Sequence, residues 1–388
     1  MDFSKLAAYL DTLNEKYGVP GLDLKIMKEH EVVYRYMTGH CDYEKKNPVT
    51  EQNLYDIYSC SKPITMTAVM QLVEQGKIDL YDPLEKYLPE FGQMYYVTDF
   101  KMGFPFSWPT SASPKAPAQN KMYIHDLMSM TAGMSYDVAY ESIRGVVEET
   151  KGEANTRQIV AAMAKMPLLS EPGTRYSYSL AHDVLAAVVE VVSGMTFGEY
   201  MRNNIFEPLG ITDMYYQIPE DQRHRLAAQY AKDWNTGEIK PDQSMIYRIT
   251  KNYESGGAGL TCSVDAYSKV IEALANDGIG GTGAQILKPE SIRTMSKRWL
   301  NDQQHEDFMM SGKVGYSYGL GVRTMVDNSN AKSPIGEFGW DGAAGAFSMI
   351  DPINHISLFY AHEILAMLEA YNEIHPTIRD LTYEALGL

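Results

Sequence analysis

Cysteine is scarce in this chain: Cys41, Cys60 and Cys262 are three among 388 residues, odd in number and far apart. That excludes a disulfide framework and a cysteine-ligated zinc site, and points to free thiols in a reducing compartment. The nine histidines show neither the H-E-x-x-H spacing nor close pairing with cysteine, so no metal is expected. A phosphate-cradling glycine loop is missing too, and no cofactor is expected. Basic residues are outnumbered, giving a net charge of −16, which argues against nucleic acid or an anionic membrane as partners. No stretch approaches the about 18 uninterrupted apolar residues of a membrane span. The N-terminus lacks the basic region and apolar run of a secretory signal, so a cytoplasmic protein is expected. Repeats and low-complexity segments are not evident. What remains is an ordinary globular composition, 45% hydrophobic and 22% charged, with ample material for a core.

The most informative segment is Ser59-Cys60-Ser61-Lys62, just before the apolar run from Pro63 to Leu72. It sets a hydroxyl and an amine three residues apart at the start of a helix, on one face, where the amine can reach the hydroxyl. A serine oxygen is a weak nucleophile until a neighbour takes its proton, and a partly desolvated lysine can help do so. Alone, S-x-x-K is a weak signal, and context must support it. Cys60 lies beside the candidate nucleophile without a matching Cys/His set, which favours packing over reactivity.

Further landmarks follow in order. The helix runs into Gln75-Gly76-Lys77-Ile78-Asp79-Leu80-Tyr81-Asp82-Pro83-Leu84, where Gly76 can form a left-handed cap and Asp82-Pro83 a turn. Then come Ile124-His125-Asp126-Leu127-Met128 through Gly133-Met134, Glu171-Pro172-Gly173-Thr174-Arg175-Tyr176-Ser177-Tyr178-Ser179, Gly256-Gly257-Ala258-Gly259-Leu260 and Gly339-Trp340-Asp341-Gly342-Ala343-Ala344-Gly345. Together these resemble the serine β-lactamase and penicillin-binding-protein-like family, in its class C-like esterase branch, over roughly residues 1 to 362.

Leu22 to Lys28 alternates with period two, as does part of Val32 to Met37, with polar Glu29-His30-Glu31 between them, and a hairpin is expected. Apolar residues at 3, 6, 7 and 10 suggest an amphipathic first helix. Helical signals dominate from about 60 to 210, including Ile159 to Met166 and Ala181 to Ser193. Strands return at Gly319 to Met325, Ala346 to Ile350 and Ile356 to Tyr360, before a final helix ending near Leu386. The expected α+β fold is the one the resemblance implies, an antiparallel sheet flanked by helices with an inserted all-α domain. Its expected division is 1–59 plus 250–388 for the sheet domain and 60–249 for the mainly helical one, with the active site in the cleft between. The proline-rich stretch from Thr98 to Lys121, with Phe104, Phe106 and Trp108, is either a flap over that cleft or a self-packed loop. The flap is favoured.

The resemblance implies roles residue by residue. Tyr178, rather than Tyr176, takes the position of the proton-relaying tyrosine, and a cationic Lys62 would lower its phenol pKa. Backbone N–H groups of Ser59 and Ala343 would form the oxyanion hole. Leu180 stands where the family usually has an asparagine that meets a substrate amide or holds the lysine. His182 could partly substitute, although a backbone-satisfied histidine is favoured. Trp340-Asp341-Gly342 replaces the usual Lys-Thr-Gly, putting an indole where a cation receives the substrate's carboxylate. Trp108, Leu180, His182, Trp340, Asp341 and Gly342 are therefore the candidate substrate-binding residues. Gly315-Tyr316-Ser317-Tyr318-Gly319 fits G-x-S-x-G but leads into a strand instead of a helix, so Ser317 reads as structural. Lys313-Val314-Gly315 faintly resembles Lys-Thr-Gly, but it lies upstream of the tryptophan motif and is set aside.

The leading reading is a serine hydrolase cleaving small apolar esters through an acyl-enzyme on Ser59. A β-lactamase, D-amino-acid peptidase or acyltransferase is the alternative within the same chemistry, and a non-catalytic acyl-ligand or partner-binding homologue is the alternative outside it. The expected partner is a small-molecule ester or amide; the sequence is silent on oligomeric state.

Overall fold

A computed structural model describes residues 1–100 and 108–388. Its centre is a seven-stranded antiparallel sheet completed by both ends of the chain. The hairpin β1 (Gly21–Lys28) and β2 (Glu31–Gly39) joins β3 (Tyr316–Tyr318), β4 (Arg323–Met325), β5 (Phe338–Asp341), β6 (Phe347–Asp351) and β7 (Ile356–Ala361) in the order β3-β4-β5-β6-β7-β1-β2. The hairpin turns at Glu29 and His30, both with positive φ, the conformation that matches strand twist in a two-residue connection.

Strand periodicity places alternate residues on two faces. Leu22, Leu24 and Ile26 of β1 share one core with Leu358 and Tyr360 of β7. That face is covered by α1 (Ser4–Tyr17), through Leu6, Leu10 and Leu13, and by the C-terminal helix α5 (His375–Leu386). Each buried leucine there contributes roughly 1.5–3 kcal/mol relative to exposure. The opposite face of β1 is polar yet covered. Arg35 bridges Asp23 at 2.7 Å and Asp265 at 2.6 Å, and Lys25 meets Asp265 at 2.7 Å. Asp265 lies in the first turn of α4 (Val264–Ala275), which packs on this side of the sheet.

Two helices build the floor of the other core. Helix α2 (Ser61–Glu74) is buried at every residue from Ser61 to Leu72. Its polar side chains are satisfied inside: Thr65 donates to the Gly256 carbonyl at 2.6 Å, and Gln71 to the Asn204 and Ile286 carbonyls at 3.0 Å. Gly76 has φ +67° just beyond its end, as its sequence position suggests. Helix α3 (Ala181–Ser193) packs against α2 and stops at left-handed Gly194. Among the described residues no single helix is long and apolar enough to cross a membrane.

Some expectations differ from the structure. Gly319 to Met325 is not one strand: β3 ends at Tyr318, the chain turns through Gly319 to Val322, and β4 begins at Arg323. Gly321 has φ +73° and packs so tightly on Met66 that an added Cβ would lie 2.2 Å from its Cγ. The apolar run is buried without pairing as a strand. Within 60–249, short strands at Met214–Tyr215, Tyr230–Lys232 and Ile239–Pro241 interrupt the helical pattern, and the first two pair with Thr261–Cys262 and Ile364–Leu365. For the Thr98 to Lys121 segment, Gly103, Phe104, Pro105 and Phe106 lie outside the described residues; Lys115–Pro117 pairs with Tyr95–Val97.

Candidate active site

Ser59 sits in a single 3₁₀ turn, Tyr58–Cys60, that feeds directly into α2. Tyr58 has φ +45°, a left-handed conformation that bulky residues adopt only when their surroundings enforce it. Here its ring is buried and its hydroxyl donates to the side chain of Gln229. The other side of the turn is held by the end of β5. A Cβ at Gly342 would lie 2.5 Å from the Ile57 carbonyl oxygen, so glycine is what lets this strand end approach the serine. The Ala343 N–H, next along, has no partner among the described residues, while Tyr371 donates to the carbonyls of Gly342 at 3.1 Å and Ala343 at 3.0 Å.

One helical turn on, the Lys62 ammonium nitrogen lies 3.2 Å from Ser59 Oγ, 3.2 Å from the Tyr136 hydroxyl and 2.8 Å from the Gly257 carbonyl. Lys62 is fully buried. Burial lowers its pKa from 10.5 to about 7, against a smaller opposing pull from the Asp183 charge. A neutral amine here can donate to Gly257 and Tyr136 while its lone pair receives the serine proton.

Tyr178 stands over the same point. Its hydroxyl accepts from the Trp340 indole at 3.0 Å, and its ring stacks between Tyr136 at 5.3 Å and Trp340 at 5.5 Å. The expected lowering of its phenol pKa does not occur. Burial pushes it well above the ordinary value, and hydrogen bonds with Ser59 and Trp340 offset this only in part. Lys62 faces the ring, 4.6 Å from its centroid, and itself gives up its proton near neutrality. The group suited to take a proton is therefore the amine, and the phenol is suited to pass one on.

These residues open onto a cavity of about 600 Å³ whose lining includes Ser59, Tyr136, Tyr178, Trp340, Ala343 and Lys313. Trp108, Asp341 and Gly342 line it as well, so the structure brings together Ser59, Lys62, Tyr178 and four of the six candidate binding residues. Leu180 and His182 do not join them. Leu180 is 1% exposed in the core at the start of α3, and His182 is fully buried with Nε2 3.5 Å from the Met128 carbonyl. Both face inward because the first turn of α3 packs beneath the motif. Ser317 is buried in β3 with its hydroxyl 3.1 Å from His305 Nδ1. Burial pushes the Cys60 thiol up, in keeping with a packing role.

Sequence reasoning missed Tyr136, Tyr247, Tyr371 and, above all, Lys313. Tyr136 lies two residues past the Gly133-Met134 landmark, and nothing local marks it among 28 tyrosines. Lys313, set aside for its position, reaches the cleft from the segment before β3. Its ammonium pairs with Asp341 and lies 5.4 Å from the centroid of Trp340. Asp341 also meets His375 Nδ1 at 2.9 Å. Burial alone would raise the Asp341 carboxyl, but Lys313 and Arg323 outweigh it and hold it well below the carboxylate range. The tryptophan motif therefore leaves a cation in the cleft, matched by a fixed anion. Among the described residues no group of three or more His, Cys, Asp or Glu is arranged to hold a metal ion.

A family model described as Beta-lactamase matches residues 6–380. Protein Rv1367c of Mycobacterium tuberculosis (strain ATCC 25618 / H37Rv) is 27% identical over 351 residues, spanning 87% of this chain and 82% of that protein. Esterase EstB of Burkholderia gladioli is 26% identical over 387 residues, spanning 90% and 88%. Among solved structures, EstCE1, described as a hydrolase with promiscuous acyltransferase activity, superposes with a TM-score of 0.78 at 23% identity and covers 98% of each chain. At that identity the superposition shows the shared fold.

Proposed function

This chain belongs to the beta-lactamase family, and within it we propose that it is a serine hydrolase cleaving small, mainly apolar esters through an acyl-enzyme on Ser59. The observation that carries this reading is the 3.2 Å contact between Ser59 Oγ and a fully buried Lys62 whose amine titrates near 7. Ser59 Oγ attacks the acyl carbonyl as its proton moves to Lys62 Nζ. The developing oxyanion is received by the N–H groups of Ser59 and Ala343. The proton is then delivered to the departing alkoxide with the Tyr178 hydroxyl, which borders Ser59, as its relay, and water or a second alcohol releases the acyl group. An esterase and a hydrolase with promiscuous acyltransferase activity among the similar proteins support this chemistry.

The ester preference rests on the cleft. Its walls are aromatic, from Trp108, Tyr136, Tyr178, Tyr247 and Trp340, and its cation is already paired with Asp341. A lactam's amide would face these aromatic walls, and any of its polar atoms left unpaired there would cost about 1–3 kcal/mol for each buried group. The test sets a chromogenic short-chain ester beside a chromogenic cephalosporin, with fluorophosphonate labelling to separate enzyme from binder. Faster turnover of the ester is expected; faster turnover of the cephalosporin overturns the ester reading in favour of a β-lactamase.

A further inference from the structure

Asp183, in the first turn of α3, is 1% exposed and none of the steps above uses it. Its Oδ1 accepts from the Tyr253 hydroxyl at 2.6 Å, the Ser255 hydroxyl at 2.6 Å and the Gly257 N–H at 3.5 Å. Its Oδ2 is buried with no hydrogen-bond partner among the described residues. A buried, unsatisfied carboxylate oxygen is costly to keep, and its surroundings indicate what it faces. A Cβ built on Gly257 would lie 2.7 Å from Asp183 Oδ2 and 3.5 Å from Lys62 Nζ, so those two atoms are at most about 6 Å apart. The same Gly257 offers its carbonyl to Lys62 at 2.8 Å. One peptide thus touches both groups, and any larger residue there would wedge between them.

We propose that Asp183 is a positioning residue for Lys62: its fixed charge holds the amine against Ser59 and stabilises the ammonium that forms when Lys62 takes the serine proton. The inference rests on the reading of Ser59 and Lys62 given above. Among the described residues, the other groups facing Lys62 carry no comparable charge. Ser59, Tyr136 and Tyr178 present hydroxyls or rings, with Tyr247 packed edge-on to Tyr136. Burial pushes the Cys60 thiol up and the His182 imidazole well down, which leaves both neutral. The Tyr253 and Ser255 hydroxyls fix the carboxylate and spread part of its charge over two donors.

Two substitutions move the pH profile in opposite directions. Asp183→Asn removes the charge and nearly keeps the shape, so Lys62 loses the partner of its protonated form. A unit charge at about 6 Å in an effective dielectric of about 20 corresponds to about two pH units. The acidic limb of kcat/KM on a short-chain ester should therefore move down by about one to two units, while kcat falls because the ammonium formed during reaction is left unpaired. Tyr253→Phe keeps the charge and removes one donor, so the limb should move up by a few tenths of a unit. A purely structural role would leave both limbs in place while lowering the melting temperature. Ser59→Ala runs alongside. If it is inactive and neither limb moves, the assignment of Asp183 is wrong while the serine reading stands; if it stays active, the serine reading itself falls. Should Asp183→Asn fail to fold, the Tyr253→Phe limb decides: a rise supports the assignment, and no shift overturns it.

Discussion

Replacing Lys62 by arginine keeps a positive charge and a long stem but removes any neutral nitrogen, because a guanidinium stays protonated in proteins. An ordinary lysine is neutral in roughly one molecule in three thousand at pH 7. Lys62, lowered to about 7 by burial, is neutral in about half. Burial therefore raises the usable base by about three powers of ten, and a positioned general base adds about 10²–10⁴ in rate. Lys62→Arg is expected to lower kcat/KM on a short-chain ester by about a hundred- to ten-thousandfold, with a cooperative melt showing that it still folds. In the unaltered protein only the deprotonated amine can accept the serine proton. Activity should thus fall as pH drops, along a one-proton limb centred near 7, read from initial rates at the isosbestic wavelength of the released phenol. A flat profile from about pH 5.5 to 8, or an arginine variant keeping more than about a tenth of the activity, would show that Lys62 is not the base.

Ser59→Ala should lower kcat by roughly four to six orders of magnitude on any good substrate, the scale of losing a serine nucleophile. Mass spectrometry of the fluorophosphonate adduct should find it on Ser59, and an adduct on Ser317 would refute the assignment. Lys62→Ala and Tyr178→Phe should each remove most activity, and the double variant should be little worse than either, because coupled catalytic groups are strongly non-additive. Free-energy losses that simply add would mean the two residues act separately. Asp341→Asn should release Lys313 from its partner and lower KM for carboxylate-bearing esters relative to neutral counterparts by about three- to tenfold, an effect that shrinks as salt is added. An unchanged ratio would mean that Lys313 does not face the substrate.

Local spacing made much of this fold legible. The amphipathic stripe Leu6, Leu10 and Leu13, the polar hairpin turn at Glu29 and His30, and the glycine stop at Gly194 each encode an element within a few residues of themselves. Ser59 and Lys62 were legible for the same reason, since three positions of helix fix their distance whatever surrounds them. Gly319 to Val322 misled because its apolar residues are buried in a turn rather than in a paired strand, with left-handed Gly321 packed on Met66. Leu180 misled because the motif fixes its register but not which side of α3 faces the cleft, whereas His182 packs inward against the Met128 carbonyl, in line with the favoured reading.

What the sequence hid is set by contacts across long separations, and the exchange at Trp340 illustrates why. A lysine at that position would have brought its charge to the cleft within one motif. Here the indole takes the site and donates to Tyr178, and the charge arrives from Lys313, 27 positions earlier in the chain. Asp341, immediately after the tryptophan, captures that charge, and His375 from α5 holds the aspartate in turn. No one of these residues states the outcome alone, because a cation, its counter-ion and the group that orients the counter-ion come from three separate segments. Replacing Trp340 by lysine would therefore add a second cation beside Lys313. The charge at this corner of the cleft is set by the Asp341 carboxylate as much as by which cation is present.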